Sequence, residues 1–153
     1  MTIIREKTIL DTTPDRLFEE VSKSAALLHV SKGMMSFTPI DPPHFPELWE
    51  ERKYLVSMKF AGALPIGTQI IGIEIPPPSD GRYFVRDNGY SDTIKKWDHM
   101  ITIEPTGDGR SAYEDRLDID AGWRTPFVAA FAKAFYAHRQ RNWKKLVDSG
   151  FVY

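Results

Sequence analysis

Two periodicities divide the chain. From Thr125 to Ser149 apolar residues recur at helical spacing without a break, whereas most of the chain before Thr125 reads as short runs with every second position apolar. The long run predicts one amphipathic helix. Thr125 suits its N-cap, Pro126 the first helical position where a missing N–H costs nothing, and Gly150 a left-handed residue that ends it. At about 100° per residue, Phe127, Val128, Phe131, Ala134, Phe135 and Leu146 gather on one side, with Lys133, Gln140 and Lys144 opposite. His138 and Asn142 fall on the buried side as well, and polar groups in an aromatic stripe need partners.

Upstream, Thr2 to Leu10 predicts a strand with Ile4, Thr8 and Leu10 facing inward. Thr13-Pro14 then opens a short helix whose apolar edge is Leu17, Phe18 and Val21, and a second short helix follows around Ala25 to Val30. Strands are predicted at Met34 to Ile40, at Arg52 to Phe60 with Tyr54, Val56, Met58 and Phe60 on one face, at Thr68 to Ile75 and at Tyr83 to Asp87. The prolines between Asp41 and Pro46, a turn over Ala61 to Gly67, the Pro76 to Gly81 break and a loop from Asn88 to Thr93 separate them. The remaining pair, Lys96 to Glu104 and Ser111 to Ile119, flanks a Gly-rich turn and predicts a hairpin.

That hairpin carries the clearest candidate chemistry. Trp97, His99, Ile101 and Ile103 share one face of its first strand, and Ser111, Tyr113, Asp115, Leu117 and Ile119 share one face of its second. Setting Trp97 opposite Leu117 and Ile101 opposite Tyr113 leaves a loop of about five residues and puts His99 directly opposite Asp115. Their Cβ atoms are then about 5 Å apart, within bonding reach for an imidazole and a carboxylate. A buried pair of this kind gains little net stability. Three roles are open to it: a structural cross-strand bond, a contact to a ligand, or an acid–base pair in which Asp115 fixes the tautomer of His99.

The rest of the composition narrows the function classes. Net charge is −1 and charged residues make up 27% of 153, so the chain has no electrostatic footprint for nucleic acid. One domain over residues 1–153 is expected. No apolar run approaches the roughly 20 residues of a membrane span or resembles a secretory signal, which predicts a cytoplasmic protein with no membrane insertion. The absence of cysteine removes disulfides and thiolate chemistry. His29, His44, His99 and His138 lack metal-ligand spacing, the glycines lack phosphate-loop order, and no nucleophile elbow surrounds a serine, so neither a metal nor a cofactor is expected. The arginines of His138-Arg139-Gln140-Arg141 read as a solvated or salt-bridged helix edge.

The opening TILDTTPDRLFEEV, the pair Trp97-x-His99 and Tyr113-x-Asp115, and the closing FYAHRQRNWKKL together resemble the START-like or SRPBCC superfamily. The resemblance implies an α+β helix-grip fold: a curved antiparallel sheet of about seven strands wrapped on a long C-terminal helix, two short helices after the first strand, and an apolar cavity between sheet and helix. It implies that Trp97, His99, Tyr113 and Asp115 line the sheet wall, that Tyr54, Met58 and Phe60 extend it, and that Phe131, Phe135 and His138 form the helix wall. The loops around Pro43 to Pro46 and Pro77 to Gly81 would edge its mouth. The expected partner is a small hydrophobic molecule of aromatic, polyketide-like or lipid-like character. The alternative is a cyclase, aromatase or dehydratase that uses His99 with Asp115 as acid and base, and a third class is a scaffold whose core is filled.

Overall fold

The structure, a computed structural model, describes residues 2–153. Strand β1 (Thr2–Leu10) is followed by helices α1 (Pro14–Val21) and α2 (Ser24–Ser31). Strands β2 (Met35–Asp41), β3 (Lys53–Phe60), β4 (Leu64–Glu74), β5 (Tyr83–Gly89), β6 (Lys96–Pro105) and β7 (Ser111–Asp120) then run as a meander into helix α3 (Thr125–Asp148). The seven strands form one antiparallel sheet in the order β1-β7-β6-β5-β4-β3-β2, so the first strand closes beside the last. This is a helix-grip arrangement. Among the described residues no helix is long and apolar enough to cross a membrane.

Local chemistry accounts for the boundaries. Thr13 caps α1, its Oγ1 accepting from the Arg16 N–H, and Pro14 occupies the first turn. Thr125 does not cap α3 as expected. A 3₁₀ turn at Gly122–Arg124 precedes the helix, and the Thr125 hydroxyl accepts from Ala121 N–H and donates to the Gly122 carbonyl, tying the turn rather than the helix. At the other end Gly150 adopts φ +74° and the Phe151 N–H reaches back to the Leu146 carbonyl, a Schellman closure.

Three sheet assignments differ from expectation. β4 begins at Leu64, not Thr68, because Pro65 pairs with Lys59 on a stretch where β5 does not run alongside, so its missing N–H costs no ladder bond. β5 continues through Gly89, and Tyr90 bridges to Ile70, where a loop was expected. The β6–β7 register is shifted by two: Trp97 pairs with Ile119, His99 with Leu117, Ile101 with Asp115 and Ile103 with Tyr113. A shift of two preserves every inward face, so alternation alone does not distinguish the registers. The turn does, because Thr106 N–H bonds the Arg110 carbonyl and Asp108 is held by Thr106 and Arg110.

The sheet bends between β4 and β5, which pair at Ile73↔Asp87 and Glu74↔Arg86 and bridge again at Ile70. In between, a Cβ on Gly72 would lie 2.5 Å from the Asn88 carbonyl oxygen, so glycine is what lets the two backbones approach. On the outer face Arg86 clamps the bend, forking onto Asp98 at 2.8 Å through two nitrogens and reaching Glu74 at 3.3 Å.

Packing under the sheet is uneven. Leu10, Leu17, Val30, Ile103 and Tyr113 close solidly around Trp143 and Leu146 of the C-terminal half of α3. The N-terminal half packs loosely, with Phe127 72% exposed although the periodicity placed it inside. Gly72→Ala should lower stability by about 2 kcal/mol, measured as a shift in urea midpoint at unchanged slope. A neutral effect would mean that the bend is not set by the close approach at Gly72.

Candidate functional site

The inward face of α3 is Ala132, Phe135, Tyr136, Arg139, Gln140, Trp143 and Leu146. This stripe is rotated from the predicted one, which Phe127, Phe131 and Phe135 had defined. Residues four apart drift about 40° per step, so the first and last of those three diverge by about 80°. The rotation brings Arg139 and Gln140 inside, correcting both the solvated edge expected for Arg139 and the outward position expected for Gln140.

Gln140 reaches the His99–Asp115 pair. The His99 Nε2 lies 2.7 Å from Asp115 Oδ1, a diagonal rather than directly opposed contact given the observed register. The Tyr113 hydroxyl donates to the same oxygen at 3.1 Å, and Gln140 Nε2 donates to Oδ2 at 3.0 Å and to the Glu6 carbonyl at 2.7 Å. Burial pushes the Asp115 carboxyl up, but the bonds from His99 and Gln140 and the nearby charges outweigh it and hold it below the usual range. Burial lowers His99 more than Asp115 raises it. The pair is therefore a carboxylate and a neutral imidazole at neutral pH, with Nε2–H donating to Asp115. His99 Nδ1 makes no hydrogen bond among the described residues and carries the bare lone pair.

Between the sheet and the N-terminal half of α3 lies a cavity of about 520 Å³. Its sheet wall includes Trp97, His99, Met58 and Phe60, and its helix wall Phe131 and Phe135, together with Tyr136 and Arg139. The mouth is edged by Phe60, Leu64 and Ile66 of the β3–β4 hairpin and by Phe127 of α3, all of them exposed. The proline loops expected there lie elsewhere: Phe45 packs against Trp49 and Tyr54, and no residue of Pro77 to Gly81 lines the cavity.

Four expected wall residues are placed behind the lining. Asp115 and Tyr113 sit behind His99, with the Tyr113 ring against Trp143. Tyr54 joins the aromatic cluster under the Phe45 loop and bonds the Glu50 backbone. His138 is at the α2–α3 seam, its Nε2 2.6 Å from the Lys32 carbonyl and its ring against Gly33, so it ties the two helices together. Asn142 does the same at the Val30 carbonyl.

The cavity also holds a carboxyl that the sequence reading passed over. Asp87 of β5 lies at the bend, its Oδ1 accepting the Gly72 N–H at 2.8 Å in place of a missing ladder bond. It is half-buried and lines the cavity, and burial raises its pKa to about 7 despite that bond and the charge of Arg139. No group of three or more His, Cys, Asp or Glu side chains with metal-binding geometry occurs among the described residues.

The fold places the chain among solved structures. No family model and no curated protein matches it. A START superfamily protein from Mycobacterium smegmatis superimposes with a TM-score of 0.64 at 12% identity over 96% of this chain and 97% of that one. A conserved protein from Geobacillus kaustophilus gives 0.66 at 15% over 97% and 96%. Norcoclaurine synthase from Thalictrum flavum, in complex with dopamine and hydroxybenzaldehyde, gives 0.68 at 13% over 97% and 87%.

Two measurements test the electrostatics. Asp115→Leu strands the hydrogen-bonding groups of His99, Tyr113 and Gln140 and should cost about 3 to 5 kcal/mol, read by denaturant melts. Asp87 has a folded pKa above its unfolded one, so its contribution to stability is fully present below pH 4 and is lost as pH rises through about 7. Asp87→Asn keeps the acceptor for Gly72 and should flatten the fall in stability between about pH 4 and 7; an unchanged pH profile would place the titration elsewhere. By its strand order, its two early helices and its closing helix, the chain has the START-like helix-grip fold.

Proposed function

We propose that the protein binds a small, predominantly apolar molecule in the cavity between the sheet and α3. The observation that carries this reading is the cavity itself: about 520 Å³ of space lined mainly by Met, Phe, Ile and Trp side chains, with a few convergent polar groups. A filled-core scaffold would leave no such space. The aromatic walls, Trp97 and Phe135 among them, favour a ligand with an aromatic or extended hydrocarbon body.

A second reading rests on His99. Its Nδ1 lone pair, on a ring backed by the Asp115 carboxylate, is arranged as a general base toward a bound molecule, which suits proton abstraction of the cyclase, aromatase or dehydratase kind. Its neutral state at pH 7 is the state a base requires.

Native mass spectrometry of protein purified without denaturant tests the binding reading, with a retained small molecule of defined mass expected. Met58→Trp should fill part of the cavity and lower affinity for that molecule about tenfold, which is about 1.4 kcal/mol, at little cost in stability. Retained affinity in a folded Met58→Trp variant would place binding outside the cavity. If the retained molecule is turned over, His99→Gln should reduce the rate by about 10² to 10⁴ while binding persists.

A further inference from the structure

Arg139 is a charged residue of the cavity wall whose hydrogen-bonding groups find no acceptor among the described residues. Only 6% of it is exposed, yet its guanidinium makes no hydrogen bond and no ion pair among the described residues, and its Nε is buried with no partner. Its close contacts are the faces of Phe135 and Tyr136, 5.6 Å and 5.2 Å from the ring centroids. These cation–π contacts hold the planar group in place while leaving its N–H fork unengaged.

Arginine cannot relieve this by losing its proton. The acidic groups around it raise its pKa further, even though burial acts the other way. These charges at a distance offset the burial of the cation, but they give its N–H groups no acceptor, and a buried donor without one is unfavourable, so the site is complete only when an acceptor is supplied.

The protein does not supply one. Asp115 is committed to His99, Tyr113 and Gln140, and Asp87 to the Gly72 N–H. Neither carboxylate comes within 4 Å of the guanidinium, the limit for an ion pair. The remaining polar side chains of the wall, Thr68, Gln69, Ser91, Thr93, His99 and Tyr136, carry no negative charge at neutral pH. By contrast, nothing in the cavity calls for a cationic ligand, because each acid already has a donor.

We infer that Arg139 is a ligand-recognition residue and that the molecule bound in the cavity is an apolar acid, its carboxylate engaging the Arg139 guanidinium while its hydrocarbon or aromatic body fills the Met- and Phe-lined space. A carboxylate matches the guanidinium fork with two parallel hydrogen bonds. The aromatic walls at Phe135 and Trp97 accept a ring as readily as a chain. This inference rests on the cavity-binding reading and narrows it to a ligand class.

The test compares 1-naphthylacetate with 2-(1-naphthyl)ethanol, which share a body and differ in the head group, by calorimetric titration at pH 6. The wild-type protein should bind the acid at least tenfold more tightly than the alcohol. Arg139→Met, which keeps an unbranched apolar stem, should bind the two about equally, and Arg139→Lys should keep part of the preference. Equal binding of the two probes by the wild type overturns the inference while leaving the cavity reading intact, and so does a preference that survives in folded Arg139→Met. Binding of neither probe overturns both. The wild-type comparison stands by itself should Arg139→Met fail to fold.

Discussion

The structure turns on one buried carboxylate. Asp115 receives a bond from β6 through His99, from its own strand through Tyr113 and from α3 through Gln140, and the same Gln140 amide nitrogen also holds the Glu6 carbonyl of β1. Three strands and the helix therefore meet at a single polar point in an otherwise apolar interior. A dry network of this kind adds little net stability over a packed apolar core, but each member becomes costly to lose once the others are buried around it. Its contribution is to the placement of the helix: a rotation of α3 about its axis would break both Gln140 bonds at once.

The cavity follows from that placement. Beyond the Asp115 junction toward its C-terminus, α3 is gripped by Leu10, Leu17, Ile103 and Tyr113; toward its N-terminus it touches β3 through the Phe131 and Phe60 rings, with the cavity between helix and sheet. The bend at Gly72 and Asp87 carries the far strands away from the helix, and the first residues of β4 project past the end of β5. Curvature set by a glycine contact and a side-chain substitute for a ladder bond thus creates the space, and the aromatic side chains of the helix line it.

The elements themselves were legible because their signals are local: alternation for strands, Thr13-Pro14 for α1, Gly150 for the end of α3. The inward faces of β6 and β7 were legible for the same reason, and with them the His99–Asp115 contact. What was not legible depends on comparisons between distant residues. Alternation does not separate registers two residues apart, so it cannot distinguish a directly opposed pair from the diagonal one observed. Phenylalanines at spacing four drew the helix face away from Ala132, Arg139 and Trp143, whose steps of seven and four residues trace the straighter stripe. Asp87 looked like the polar end of a strand, and only the β4–β5 bend, a tertiary feature, gives its carboxyl a partner and a cavity to face. His138 seemed the residue to watch on the helix, yet it satisfies itself against the Lys32 carbonyl.

Helix α3 is held at one end. Its last turns are closed by the Schellman bond and embedded among buried side chains, and its middle is pinned by Gln140, whereas its first two turns rest on a cavity and on solvent. The free energy needed to open a helix locally rises with the burial of its contacts, and along α3 that burial grows from Phe127, 72% exposed, to Trp143, fully buried. The edge of the cavity and the least buried segment of the helix are the same stretch of chain. Local opening there would leave the Asp115 junction untouched, so access to the interior is energetically separate from the integrity of the fold.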